Sequence, residues 1–351
     1  MKLKKKMKPV ESTQLAVLSE NVTEDKFERV TVGDDLKLSA LVAKADEIQS
    51  MCTDVNDVFM DNLYLNKDLH LETKSGENVG VSPYAFSQLC TKLGIPTLYM
   101  KKCIETGFVP LVQENINKWL QWGADKKLLI RKYGEVARGI LSNRYSICDT
   151  PEILSAISDS GILKNMSLQG YMINPSRFHA RFIGAEMKVV GEDLFAGVQI
   201  DSSDVGRSKL DIKFFVFKQV CTNGLVLPEA AGAIYTQKHI GISSEDMTKA
   251  LHESFNVFNE QVSDATDIIT HAQSVKINDM EDYRNRVRNG TRVGEDSVDE
   301  IFTIAVENYD SSVWGLVNAI TEVSQKYTLE HRLLMERYAG VLLTQSLRGG
   351  V

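Results

Sequence analysis

The stretch from Asp201 to Glu229, DSSDVGRSKLDIKFFVFKQVCTNGLVLPE, constrains the fold more than any other part of the chain. It opens on a glycine-containing turn at Asp204-Val205-Gly206, continues as a long β-rich run and reaches a second turn signal at Asn223-Gly224. Asn-Gly between apolar runs is the strongest short-range hairpin signal, because both residues tolerate the positive φ of a type I′ turn. With the runs 167–173, 176–183, 194–201 and 208–220, it predicts a four-stranded antiparallel sheet and a hairpin turning at Asn223-Gly224.

Helical signals surround that sheet. Leu36, Leu38, Leu41 and Val42 fall near helical spacing over residues 34–50, and residues 55–71 alternate like one or two short strands. Ser82-Pro83 reads as an N-cap followed by proline at the first helical position, with a stop at Gly94-Ile95-Pro96. Two more helices are expected near Leu98–Glu105 and Pro110–Trp122, then a hairpin over 125–145 turning at Gly134-Glu135. Asp149-Thr150-Pro151-Glu152 caps a further helix, and Ser243-Ser244-Glu245-Asp246 starts a long one reaching about Val275. Helices near Asp279–Val287, Val298–Asn308 and Ser311–Tyr338 follow.

The resulting fold class is α+β: a central antiparallel sheet with hairpins, an N-terminal helical subdomain, a long helix after the sheet and a C-terminal helical tail. The expected divisions are a mobile arm over 1–33, a mostly helical subdomain over 34–124, a β-rich core with its packed helix over 125–275, and a helical region over 276–351. The helix from Ser244 is expected on the Phe178/Phe182 face of the sheet.

The 351 residues are 43% hydrophobic and 25% charged, so there is apolar surface enough for a real core. The basic start MKLKKKMKPVESTQ lacks the apolar stretch of a secretory signal, and no window approaches the roughly 18 apolar residues of a membrane span. Cys52, Cys90, Cys103, Cys148 and Cys221 are odd in number and scattered, which predicts free thiols and a cytoplasmic location. The net charge of −7 argues against a surface coated in positive charge but leaves room for a local basic groove.

The sharpest chemical pattern is Arg177-Phe178-His179-Ala180-Arg181-Phe182. On a strand Arg177, His179 and Arg181 share one face, about 7 Å apart, while the phenylalanines share the other. That spacing suits successive phosphates of an extended strand, with guanidinium forks as ligands. A solvated face paired with carboxylates on neighbouring strands is the alternative, and it applies equally to the mixed-charge run Lys209, Asp211, Lys213. Arg284, Arg286, Arg288 and Arg292 cluster around Asn289-Gly290, as a phosphate-contacting loop or a helix end would. Arg144 and Tyr145 offer one guanidinium and one stacking ring, and Lys126, Lys127, Arg131, Lys132 and Arg138 add charge to the predicted hairpin.

Enzyme motifs are scarce. There is no phosphate-binding glycine loop, HExxH, GxSxG or CxxC pattern, and the six histidines never take ligand spacing, so no metal or cofactor is expected. Cys221 with His239 would make a nucleophile pair, but a cysteine before Asn-Gly reads as a buried hydrophobe. Asp201, Asp204 and Asp211 straddle a turn without a recognised ion-binding loop. The end LRGGV reads as a helix-capping glycine and a frayed terminus.

Several segments together resemble the phage/plasmid-like family grouped as domain of unknown function 932. They are LGIPTLYMKKC (93–103), ENINKWL (114–120), GILSNRYSICDTPEIL (139–154), DVGRSKLDIKFFVFKQVCTNGLV (204–226), WGLVNAITEVSQ (314–325) and ERYAGVLL (336–343). The resemblance implies a setting of mobile-element DNA replication or recombination and carries no catalytic residues. A sheet followed by a helix, with basic residues on a strand face, is similar to the core of ring-forming single-strand annealing proteins, a fold-level analogy. The expectation is a cytoplasmic, homo-oligomeric protein binding single-stranded nucleic acid, as an annealing or recombination accessory factor. Its contacts would be Arg144, Tyr145, Arg177, His179, Arg181, Arg284, Arg286 and Arg288, with no catalytic residue. Replacing Arg177 and Arg181 is then expected to leave stability nearly unchanged. A protein-binding factor that inhibits or redirects a host system, and a metal-dependent enzyme acting on nucleic acid through Asp201, Asp204 or Asp211, are the rival readings.

Overall fold

The computed structural model describes residues 28–29, 38–161, 163–189, 191–218, 223–226, 233–237 and 244–347. Most of the expected arm, the connection at 219–222 with Cys221, His239 and the closing glycines lie outside those residues. Within the arm, β1 (Glu28–Arg29) is paired into a sheet.

The first half of the chain begins with α1 (Leu38–Ser50), β2 (Cys52–Phe59) and a single 3₁₀ turn (Met60–Asn62). Next come β3 (Leu63–Leu65), β4 (Leu71–Thr73) and β5 (Asn78–Val81). Three helices follow: α2 (Pro83–Leu93), α3 (Thr97–Glu105) and α4 (Val109–Trp122). Ser82 caps α2 as its sequence predicts, its hydroxyl accepting from the Ala85 N–H at 3.2 Å, and Gly94 ends it in the left-handed region at φ +70°. The hairpin β6 (Lys127–Tyr133) and β7 (Val136–Ser142) turns at Gly134, where φ is +55°.

The region before that hairpin is mostly helical, as expected, but the hairpin does not open the β-rich core. It pairs with the earlier strands in a six-stranded sheet of order β2-β6-β7-β5-β4-β3, so a boundary at residue 124/125 would cut the sheet. The alternation within β6 gives the reason. Leu128 and Ile130 share a core with Phe86 and Leu89 of α2 and Val112 and Ile116 of α4, and only the adjoining strands can satisfy the hairpin's edges.

The second half starts with α5 (Thr150–Ser160), opened by a capping box between Asp149 and Glu152. The strands are β8 (Ser167–Asn174), β9 (Arg177–Met187), β10 (Leu194–Ser202), β11 (Leu210–Lys218), β12 (Asn223–Val226) and β13 (Ala233–Gln237). They form a seven-stranded antiparallel sheet of order β1-β8-β9-β10-β11-β12, with β13 also on β11. Asn223 and Gly224 are not its turn. Lys218 pairs with Asn223 and Phe217 with Gly224, so both belong to β12 rather than to a turn.

Five helices complete the chain: α6 (Ser244–Ser274), α7 (Met280–Thr291), α8 (Glu295–Asn308), α9 (Val313–Ser324) and α10 (Leu329–Ser346). The stretch expected as one helix over 311–338 is thus two, with a break between Ser324 and Leu329. As expected, α6 covers the apolar face: Phe258 lies 5.6 Å, ring to ring, from Phe214, which shares its core with Phe178 and Phe182. Among the described residues no helix is long and apolar enough to cross a membrane, and Cys52, Cys90, Cys103 and Cys148 are free thiols.

Candidate functional site

Cross-strand register assembles the site. On β9 and β10, Arg181 stands opposite Gln199 and His179 opposite Asp201, so strict alternation puts all four on the face away from α6. That face is not open to solvent at its centre, because α10 lies over it and contributes Arg332 and Glu336. The Arg181 guanidinium donates from Nε and Nη2 to Gln199 Oε1 at 3.0 and 2.9 Å, and from Nη1 to Glu336 Oε1 at 3.2 Å. Its Nη2 also meets Glu336 Oε2, and Arg332 Nε donates to Glu336 Oε1 at 2.8 Å. Gln199 Nε2 then donates to Asp201 Oδ2 at 2.8 Å, and Asp201 Oδ1 lies 2.7 Å from His179 Nδ1. A continuous polar chain therefore runs Arg332–Glu336–Arg181–Gln199–Asp201–His179.

The electrostatics follow from burial and pairing. Burial alone would raise the Glu336 pKa, but Arg181 and Arg332 hold it below the carboxylate range. Burial would likewise raise Asp201; the His179 contact, Lys213 and the Gln199 amide hold it down instead. For His179 burial prevails and lowers its pKa, which fits a neutral ring donating Nδ1–H to the Asp201 carboxylate.

The expected row of three solvated cations is thereby corrected. Arg181 and His179 are each 1% exposed and form a floor, and Arg177 is half-buried at its rim. Alternation fixed which side of β9 they occupy. It did not show that a helix more than 150 residues later covers that side with a matching carboxylate.

Beyond the floor the same face opens into a cleft of about 630 Å³ between the sheet and the start of α10. Arg177, Lys213, Arg292, His331 and Arg337 line it alongside Asp201, Asp211 and Glu330. Lys213 pairs with Asp211 at 3.2 Å, and His331 Nε2 donates to the Thr291 carbonyl at 2.8 Å. Arg292 and Arg337 are exposed, and among the described residues no carboxylate pairs with either. Arg292 closes α7 in the left-handed region at φ +57°, which turns it out of the helix towards the cleft.

The other predicted cations are engaged elsewhere. Arg284 pairs with Asp299 and Glu295, Arg288 with Glu295 at 3.0 Å, and Arg286 with Asp282 at 3.5 Å and with Gln345. They stand on α7 rather than in a loop, since Asn289 and Gly290 are its last-turn residues. Arg144 is exposed beyond β7, and the Tyr145 hydroxyl donates to the Ser203 carbonyl at 3.1 Å. Asp201, Asp204 and Asp211 face separate partners, and among the described residues no group of three His, Cys, Asp or Glu could hold a metal ion.

Arg131 and Arg138, counted with the hairpin's surface charge, are fully buried where the two sheets meet. Arg131 donates from Nε and Nη2 to Asp54 at 2.9 and 3.0 Å, and from Nη1 and Nη2 to Asp149 at 2.6 and 2.7 Å. Its Nη1 also reaches the Asp204 carbonyl at 2.6 Å, while Arg138 meets the Asp204 carboxylate at 3.3 Å and the Pro175 carbonyl. Burial and the neighbouring Asp149 charge push the Asp204 carboxyl up to about 6, against the pull of Arg138 and Arg131. Asp149 announces itself in the sequence only as a helix cap; its second use, as a ligand of Arg131, exists only in three dimensions.

A family model described as Domain of unknown function (DUF932) matches residues 137–341. The matched span runs from β7 into α10, so it contains β8 to β13 of the seven-stranded sheet, the polar floor and every cation of the cleft. No curated protein and no solved structure matches the chain.

Proposed function

The chain belongs to the DUF932 family, and we propose that it binds single-stranded nucleic acid through the cleft between the sheet and α10. What supports this reading is the pair of exposed, unpaired guanidiniums, Arg292 and Arg337, flanking an opening that also holds Arg177 and Lys213. Guanidiniums without carboxylate partners are ready phosphate ligands, because no ion pair has to be broken first. The cleft has the size of a site for one or two nucleotides, so a longer strand would cross it and leave on either side. A strand held by its phosphates keeps its base edges available for pairing, which suits annealing or an accessory role in recombination. Net charge −7 confines such binding to this local field.

The test is anisotropy of a labelled oligo(dT) titrated with full-length protein across a salt series. Arg292→Ala/Arg337→Ala is expected to weaken binding and to lower the slope of log K against log salt by about 1.4, at ~0.7 per lost phosphate contact. Wild-type protein with no affinity at ~50 mM salt, or a double variant that binds like wild type, overturns the proposal.

A further inference from the structure

The helix α4 has two apolar faces, and the fold uses one. Val112, Ile116 and Leu120 are fully buried in the core of the first sheet's subdomain. Phe108, Leu111, Trp119 and Trp122 are 50%, 39%, 46% and 82% exposed. At about 100° per residue these four fall within an arc of roughly 80° centred on Asn115. The opposite flank is occupied, since Asn117 Oδ1 accepts from the Leu65 N–H at 2.7 Å and Asn117 Nδ2 donates to the Leu65 carbonyl at 3.0 Å. Charge is absent from the arc and returns at its border as Glu114 and Lys118, paired at 2.7 Å. The neighbouring helix α3 adds Leu98 and Tyr99, 83% and 48% exposed. Tryptophan and other aromatics left in water on one helix face mark an interaction surface.

The order of residues along that face identifies the occupant. Leu111 and Trp119 stand four residues on either side of Asn115, and Phe108 and Trp122 stand seven. A face with that symmetry is complementary to itself when run antiparallel, as a two-fold axis requires. Leu111 then meets Trp119 of the second copy, Phe108 meets Trp122, and the two Asn115 amides meet at the axis. Glu114 falls beside Lys118 of the second copy, so the bordering charges also match. A polar residue at the centre of an apolar helix pair fixes its register. A nucleic-acid strand would need cations within the arc, and there are none.

We propose that α4 is a homodimerisation helix, packing antiparallel against α4 of a second copy of this chain about a two-fold axis at Asn115. This proposal is independent of the nucleic-acid reading, because the cleft lies on the other sheet. Sedimentation velocity of the full chain at tens of micromolar should give twice the 39.2 kDa monomer mass. Leu111→Glu/Trp122→Glu should sediment as a monomer with an unchanged circular dichroism spectrum. Glu114→Lys and Lys118→Glu should each raise the dimer dissociation constant several-fold, and the two together should restore it. Asn115→Cys should form an intermolecular disulfide on mild oxidation that Gln121→Cys, on the solvent side, does not. A monomeric wild type, a dimer that survives Leu111→Glu/Trp122→Glu, or charge reversals without effect would each overturn the proposal.

Discussion

At position 181 a guanidinium with almost no access to water is held between two acceptors from different parts of the chain, Gln199 and Glu336. Removing one partner of such a pair leaves the other charged, buried and undersatisfied, which typically costs about 3–5 kcal/mol. Arg181→Ala should therefore shift the urea unfolding midpoint sharply downward. Arg337→Ala, on the exposed rim of the same cleft, should stay within about 0.5 kcal/mol of wild type. Equal midpoints for the two variants would show that the Arg181–Glu336 pair contributes no stability. This contrast also corrects the expectation that Arg177 and Arg181 could be replaced together at no cost to stability. Any loss of binding by such a double variant would report unfolding as readily as a lost contact, so Arg292 and Arg337 are the cleaner probes.

Among the elements, α10 decides the most and advertises itself the least. Its buried set includes Leu329, Met335, Ala339, Leu342 and Leu343 but also Arg332 and Glu336, so polar and apolar residues are not segregated to opposite sides. It rests on α7 at Gly290, where an added Cβ would sit 1.9 Å from a ring carbon of Tyr338. The glycine is there for close approach rather than for a turn. Gly290→Ala should destabilise the protein by about 1–3 kcal/mol through overpacking, as differential scanning calorimetry would register. In a Tyr338→Ala background the same change should cost much less. Additive costs in that double-mutant cycle would mean the two helices do not touch at this point.

For the molecule as a whole, the seam between the two sheets is a charged one. Arg131 and Arg138 come from the first sheet, Asp149 from the cap of α5, and Asp204 from the loop after β10. Gly139 makes room for it, since a side chain there would meet Val205 at 2.8 Å. Burial and the Asp149 charge push the Asp204 carboxyl from its ordinary 3.8 up to about 6, so between those values the native state binds the extra proton. Native stability from this group is accordingly greatest at low pH and falls as pH rises from about 4 through about 6. Asp204→Asn removes that term, so its stability relative to wild type should climb over the same window by on the order of 3 kcal/mol. Chemical denaturation at a series of pH values would read it, and a constant difference would place the Asp204 pKa at its ordinary value. The titrations of Glu336, Asp201 and His179 are common to both proteins and cancel from this difference.

The α+β class, the strands β8 to β11, the caps at Ser82 and Asp149, and the face of β9 on which Arg177, His179 and Arg181 lie were all legible in the chain before it folded. These are local matters: strand alternation, side-chain capping and the left-handed freedom of glycine act over a few residues and can be read from a few residues. Asn223-Gly224 marks where that reading stopped, because turn propensity gave way to the β11–β12 register, which places both residues in a strand. Three facts needed the folded chain: that α10 roofs the sheet, that the hairpin at 127–142 joins strands 56 to 81 residues earlier, and that Arg131 and Arg138 are buried rather than solvated. Each of these depends on which distant carboxylate or apolar face arrives opposite a given side chain, a non-local fact that no window of the sequence contains. The candidate site divides in the same way: its strand-borne half, Arg177 to Asp201, was legible in the alternation. Of its helix-borne half, Arg292 already stood out in the arginine cluster around Asn289-Gly290, whereas His331 and Arg337 came into view only when α10 packed across the sheet.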